Sequence, residues 1–180
     1  MNMILPLSLV LAITVLATMF NRLVGKRNQV EFALSSLGAQ LKRRYDLIPN
    51  LVSVCEKYMS YEARVLQSLT LTRATAHDPE AVQSATVDRQ ISAQLRSVLA
   101  VAENYPALRA EEAFDLLQRS LNEVEEQLVA SRRAYNGSVM AFNNACQMFP
   151  THLIAAPLGF RLRPMFEVDS AEQLPTRVWR

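Results

Sequence analysis

His77, His152, Cys55 and Cys146 are the side chains best suited to hold a metal or act as nucleophiles, and their placement favours neither use. Carboxylate metal sites in helical bundles repeat a Glu-x-x-His pattern, which this sequence does not contain. Cys55 and Cys146 fall high on one predicted helix and low on another, too far apart to bridge. Both read as small core residues. No serine–histidine pair has a recognisable nucleophile arrangement, and glycine-rich phosphate loops are missing. Tyr45, Tyr58, Tyr61, Tyr105 and Tyr135 could stack on bases, but they sit at helix ends and on apolar stripes, where such rings serve as amphipathic core. The chain reads as non-enzymatic, with no cofactor.

Two basic clusters stand out instead. Lys42, Arg43 and Arg44 form a triplet, and Arg161 and Arg163 follow an apolar segment. What each can do depends on the elements that carry it. The 180 residues hold 19 Lys+Arg against 17 Asp+Glu, a net charge of +2 that excludes a broad nucleic-acid-binding surface. Half the residues are apolar and only four are Gly, a balance that favours an all-α fold. One domain's worth of chain is enough to bury a core without disulfides.

Residues 1–21 carry no charged side chain, and residues 4–20 are apolar apart from Ser8, Thr14 and Thr18. A helix of that length spans roughly 26 Å, near the short limit for a bilayer. Ile4, Leu7, Leu11, Val15 and Phe20 are expected to face lipid. A cleaved leader fits worse, because no basic residue precedes the run and no small-x-small site follows it. Arg22, Lys26 and Arg27 lie just past the segment. The positive-inside rule then places the amino terminus outside, the body in the cytoplasm and both cysteines in reducing surroundings.

Beyond the anchor, Leu23, Val30, Leu34, Leu37 and Leu41 keep a heptad-like stripe, predicting a helix that runs out of the membrane to about Arg44. Pro49 reads as the first turn of a second helix, with residues 45–48 as a tight connection. That helix runs to about Thr75 on Leu51, Cys55, Tyr58, Glu62, Val65 and Leu69. Asp78 as N-cap and Pro79 at the first helical position start a third helix, which ends at residues 104–106. The fourth carries the strongest signal. Phe114, Leu117, Leu121, Val124, Leu128, Ser131, Tyr135, Ser138, Phe142, Ala145 and Phe149 alternate three and four apart, predicting a helix over 111–149 stopped by Pro150.

Short connections make consecutive helices antiparallel neighbours. The expected architecture is a single transmembrane helix (1–20) continuing into an antiparallel up-down bundle of long helices (21–149), then an apolar loop and irregular tail (150–180). In that arrangement Lys42, Arg43, Arg44, Tyr45, Asp46, Pro49 and Asn50 occupy the membrane-distal tip, where the triplet can pair with Glu111, Glu112 and Asp115. Residues 153–160 lie near the bilayer. Leu153, Ile154 and Phe160, with Arg161 and Arg163, either touch the interface or cap the bundle. The predicted first helix extends only about 36 Å past the membrane and the fourth about 58 Å. The fourth must then dip toward the bilayer or lay its last turns, with Phe142 and Phe149, on a second copy.

Several segments carry a resemblance. Residues 41–52, Leu-Lys-Arg-Arg-Tyr-Asp-Leu-Ile-Pro-Asn-Leu-Val, are the most specific. Residues 99–106, 132–136, 149–155 and 159–167 follow in order. Across about 20–168 the sequence resembles the LemA family of bacterial membrane proteins. Phe20 stands where the family usually has Tyr, Met165 where an aromatic is common, and residues 77–89 match little. The resemblance implies one anchor, a cytoplasmic helical bundle at the bacterial inner membrane and no known enzymatic activity. One branch of the family is associated with building an intracellular membrane organelle.

These readings converge on a membrane-anchored scaffold that works through protein contacts, copies of itself included. The alternative is a sensor that transmits a signal through its helices. It needs a buried polar pocket, for which Glu62, Ser131 and Ser138 are the stripe's candidates.

Overall fold

The computed structural model describes residues 4–59, 62–75 and 85–166, and every regular element among them is a helix. These are α1 (Ile4–Glu56), α2 (Ala63–Thr75), α3 (Ala85–Ala102), α4 (Pro106–Arg109), α5 (Glu112–Gln147) and α6 (His152–Ala155). The expected all-α class holds.

Pro49 does not break the chain: α1 runs 53 residues straight through it. Proline lacks the N–H that would bond the carbonyl four residues back, which is that of Tyr45. Here Arg73 of α2 supplies the missing donor, its Nε reaching the Tyr45 carbonyl at 3.0 Å. The expected helix boundary at residues 45–48 is therefore wrong. The turn comes later, where Tyr58 and Met59 both donate to the Cys55 carbonyl.

This correction removes the length mismatch. From Asn21 to Glu56, α1 has 36 residues, and α5 also has 36. Each extends about 54 Å. The two pack together over the largest helix–helix contact among the described residues. Tyr58 meets Glu111, and Arg43 meets Gln127, so numbers rise along one helix as they fall along the other.

Core residues follow the predicted stripes. Leu23, Val30, Leu37, Leu41 and Ile48 of α1 bury against Leu121, Val124, Leu128, Val139 and Phe142 of α5 in one cluster. At roughly 1.5–3 kcal/mol for each fully buried large apolar side chain, this seam dominates the stability. Leu51, Cys55 and Met59 continue the cluster to α2 and α3 through Leu66, Leu69, Ile91 and Val98. Before Met19 the pattern reverses: Leu7, Leu9, Val10, Leu11 and Ile13 are all more than half exposed. The most apolar window of α1 has mean hydropathy 1.9 and is only 6% buried, so this stretch is no core helix of the fold.

Past α5 the chain turns through a cis Phe149–Pro150 bond into α6. Gly159 ends that turn with φ of +77°, a conformation open to glycine. Its N–H donates to Ala156 while that of Phe160 donates to Ala155, the paired bonds of a Schellman turn. The reversal sends residues 160–166 back along α5. The expected start of the third helix at Asp78–Pro79, Tyr61, His77 and the tail from 167 lie outside the described residues.

Candidate functional site

The triplet at 42–44 is not at the bundle tip, because α1 continues twelve residues beyond Arg44. Its expected partners Glu111, Glu112 and Asp115 are elsewhere. Glu111 accepts from the Tyr58 hydroxyl at 2.9 Å, and Asp115 pairs with Arg119 at 2.7 Å. The three cations have three fates. Lys42 pairs with Asp46 one turn on, both exposed. Arg43 reaches Gln127 at 3.3 Å and Glu123 at 3.5 Å across the α1–α5 seam. Such exposed pairs add little to stability.

Arg44 is different. It is 2% exposed, and its guanidinium donates to Asp88 at 2.9 Å and to the Ser92 hydroxyl at 2.7 Å, both on α3. Glu125 of α5 stands 3.5 Å away. Asp88 is itself buried, and its second carboxylate oxygen takes Arg132 of α5. One buried carboxylate thus ties three helices together. Burial pushes the Asp88 carboxyl above the usual carboxylate range, against the opposing pull of Arg132 and Arg44. Asp88 lies 44 residues from each arginine, so no local spacing signals the cluster. Next to it, Tyr45 is 6% exposed with an unpartnered hydroxyl, and burial raises its phenol to about 12. Pro49 and Asn50 are exposed on α1.

The segment 160–166 is the second built feature. Asn143 accepts from the Arg163 N–H and donates to its carbonyl, both at 2.9 Å. Asn136 does the same for Phe166, at 2.8 and 2.9 Å. Seven helical residues and three extended residues both cover about 10 Å, so two side-chain amides one heptad apart match an extended strap. The Arg163 head pairs with Glu31 of α1 at 2.8 Å, while Arg161 is exposed. Phe160 is 9% exposed and packs edge-on against Phe20 at 6.0 Å and Phe142 at 6.4 Å. Ile154 is half-buried beside the core, and Leu153 is exposed.

Phe142 is 1% exposed, which corrects its expected role as a contact for a second copy. It belongs to this chain's own core. Phe149 is 78% exposed and neighbours His152. Among the expected anchor residues, Ile4 lies within α1, Leu7 is 71% exposed, Leu11 65%, Val15 47% and Phe20 42%. Of the proposed sensor residues, Glu62, Ser131 and Ser138 are all half-buried, and none joins the buried polar cluster.

The segments that carry the sequence resemblance now have places. Residues 41–52 hold Arg44 and the Pro49 site, 132–136 hold Arg132 and Asn136, and 159–166 form the turn and the strap. The LemA family model matches residues 33–178. This chain belongs to the LemA family. The match takes in the whole bundle from the middle of α1 onward. Among relatives, Protein LemA of Metamycoplasma hominis is 22% identical over 158 residues, covering 86% of this chain and 71% of that protein. Magnetosome protein MamQ of Magnetospirillum gryphiswaldense is 21% identical, covering 94% of this chain and 72% of its own length. Magnetosome protein MamQ 2 of Paramagnetospirillum magneticum is 26% identical over 81 residues, 45% of this chain and 30% of that protein.

Proposed function

We propose that the chain is a single-pass, membrane-anchored and non-enzymatic scaffold of the bacterial inner membrane, working through contacts with protein partners, further copies of itself included. The observation that carries this reading is the dual character of α1. One unbroken helix exposes apolar side chains before Met19 and buries them from Leu23 onward. A rod of this kind fixes the bundle rigidly to whatever holds its first five turns. Residues 1–20 would be the anchor, 21–149 the bundle and 150–180 the apolar loop and tail. Lys26 and Arg27 favour a cytoplasmic bundle with the amino terminus outside. Exposed Leu153 and Leu158 sit beside the Phe160 cap, at the end of the bundle where α1 leaves it, and suit the membrane interface.

Support for protein contact comes from the open side of the α1–α5 pair. Phe32 is 78% exposed there, beside a groove of about 410 Å³ lined by small residues such as Gly25, Ala33, Ser131 and Ala134. A protruding ring next to a groove of small residues is a self-complementary surface. The magnetosome proteins among the relatives suit a role at a membrane. Membrane fractionation tests the anchor: the full chain should resist alkaline washing, and a chain starting at Asn21 should be released. Release of the full chain would refute it.

The sensor reading has one specific observation in its favour, the buried polar cluster around Arg44 and Asp88. A ligand that altered it would shift α3 against α1, the helix that continues into the apolar segment.

A further inference from the structure

The cluster around Arg44 has more positive than negative charge, and a cavity opens beside it. Among the described residues Arg44 and Arg132 share the one buried carboxylate, Asp88. The remaining anion, Glu125, is nearly half exposed and stands at 3.5 Å, a loose distance for a charge-assisted bond. The Nε atoms of both arginines are buried without a partner. Buried guanidinium N–H groups normally find acceptors, so the shortage is costly.

The cavity lies between α1, α3 and α5 and measures about 180 Å³. Its polar wall consists of Arg44, Ser92, Arg96, Asn122 and Glu125, with leucines behind them. Arg96 is exposed on α3 and has no hydrogen-bond or ion-pair partner among the described residues. Two guanidiniums, from Arg44 and Arg96, thus line the cavity against one carboxylate, Glu125, while Arg132 and Asp88 pair with each other outside its lining. The cavity volume is more than tenfold the ~10–15 Å³ that one water needs, enough for a tetrahedral oxyanion and part of its hydration shell.

We infer that this cavity binds a small multivalent oxyanion of the phosphate class, gripped by Arg44 and Arg96 with Asn122 as a neutral donor. Glu125, the half-exposed member, gives up its loose contact and turns to solvent when the anion enters. A fork of guanidinium donors suits phosphate geometry. The headgroups of the membrane that the anchor reading implies are not the source, because Arg44 lies 23 residues past Asn21 on one unbroken helix, about 35 Å along it. The inference stands apart from the scaffold reading, since binding is read out whether or not the chain assembles.

The test is the melting temperature of the full-length chain in mild neutral detergent, titrated with sodium phosphate against sodium chloride at matched ionic strength. Phosphate should give a saturable rise that chloride does not. Arg96→Ala should weaken apparent affinity about ten- to hundredfold, and Asn122→Ala by less. Both positions are exposed, so the fold survives the change. Arg119→Ala, which removes an exposed arginine outside the cavity, should bind as wild type. Identical phosphate and chloride curves would overturn the proposal. So would a phosphate effect that Arg96→Ala leaves unchanged, or a rise seen only when phosphate is presented as anionic lipid in vesicles.

Discussion

Pro49 is tolerated inside α1 because a side chain from another helix replaces the hydrogen bond that proline forfeits, and this can be measured as a coupling. In the wild type the Tyr45 carbonyl takes Arg73 Nε at 3.0 Å in a partly buried setting. Arg73→Ala strands that carbonyl, at a cost of about 1–3 kcal/mol. For a chain of this size that is roughly 2–12 °C in melting temperature, at about 2–4 °C per kcal/mol. In a Pro49→Ala background the new N–H at position 49 bonds the Tyr45 carbonyl within the helix, and the loss of Arg73 should then cost under about 1 kcal/mol. The four proteins form a double-mutant cycle with an expected coupling of about 1–2 kcal/mol. The assay is reversible thermal or urea unfolding in mild detergent, followed by far-UV circular dichroism. If Arg73→Ala costs the same in both backgrounds, Arg73 is not the donor that lets α1 pass through Pro49.

Three further outcomes follow from burial and pairing. Asp88→Asn leaves Arg44, 2% exposed, with only the loose, half-exposed Glu125 as counter-charge and should destabilise by about 3–5 kcal/mol, whereas replacing Arg44 and Asp88 together with apolar residues should cost less, as urea unfolding will show. Phe142→Ala should cost about 3–5 kcal/mol by the same assay, and Phe149→Ala, at 78% exposed, should stay within about 0.5 kcal/mol. Burial lifts the Cys55 thiol from 9.0 to about 11, so the folded chain keeps a proton that the unfolded chain loses first. The resulting stability is complete below pH 9.0 and drains away toward about pH 11, and at neutral pH Cys55 should react with thiol reagents only as fast as the chain opens.

What could be read from the sequence was whatever repeats locally. Eleven stripe positions placed α5, and the structure trims it only to Glu112–Gln147. The Pro49 boundary misled because the compensating donor, Arg73, is 28 residues from the Tyr45 carbonyl it bonds, on a helix whose docking no local pattern describes. The same blindness hid Asp88, which meets Arg44 and Arg132 across 44 residues in each direction. Asn136 and Asn143 look like ordinary polar helix positions. Their heptad spacing acquires meaning only beside a strap with a three-residue period at Arg163 and Phe166. Once α1 reached Glu56, its length past Asn21 equalled that of α5, and the geometric motive for laying the end of α5 on another copy disappeared. Phe32 offered no sequence signal of its own, and its exposure beside the groove emerges only from the packing of α1 on α5.

The central claim is that the chain is an anchored scaffold whose body meets further copies of itself. The most direct measurement is the mass of the full-length protein in mild detergent by light scattering, beside a chain beginning at Asn21. A discrete closed oligomer for both chains is the predicted result, because the Phe32 groove lies wholly past Asn21. Monomers in both cases would contradict self-assembly.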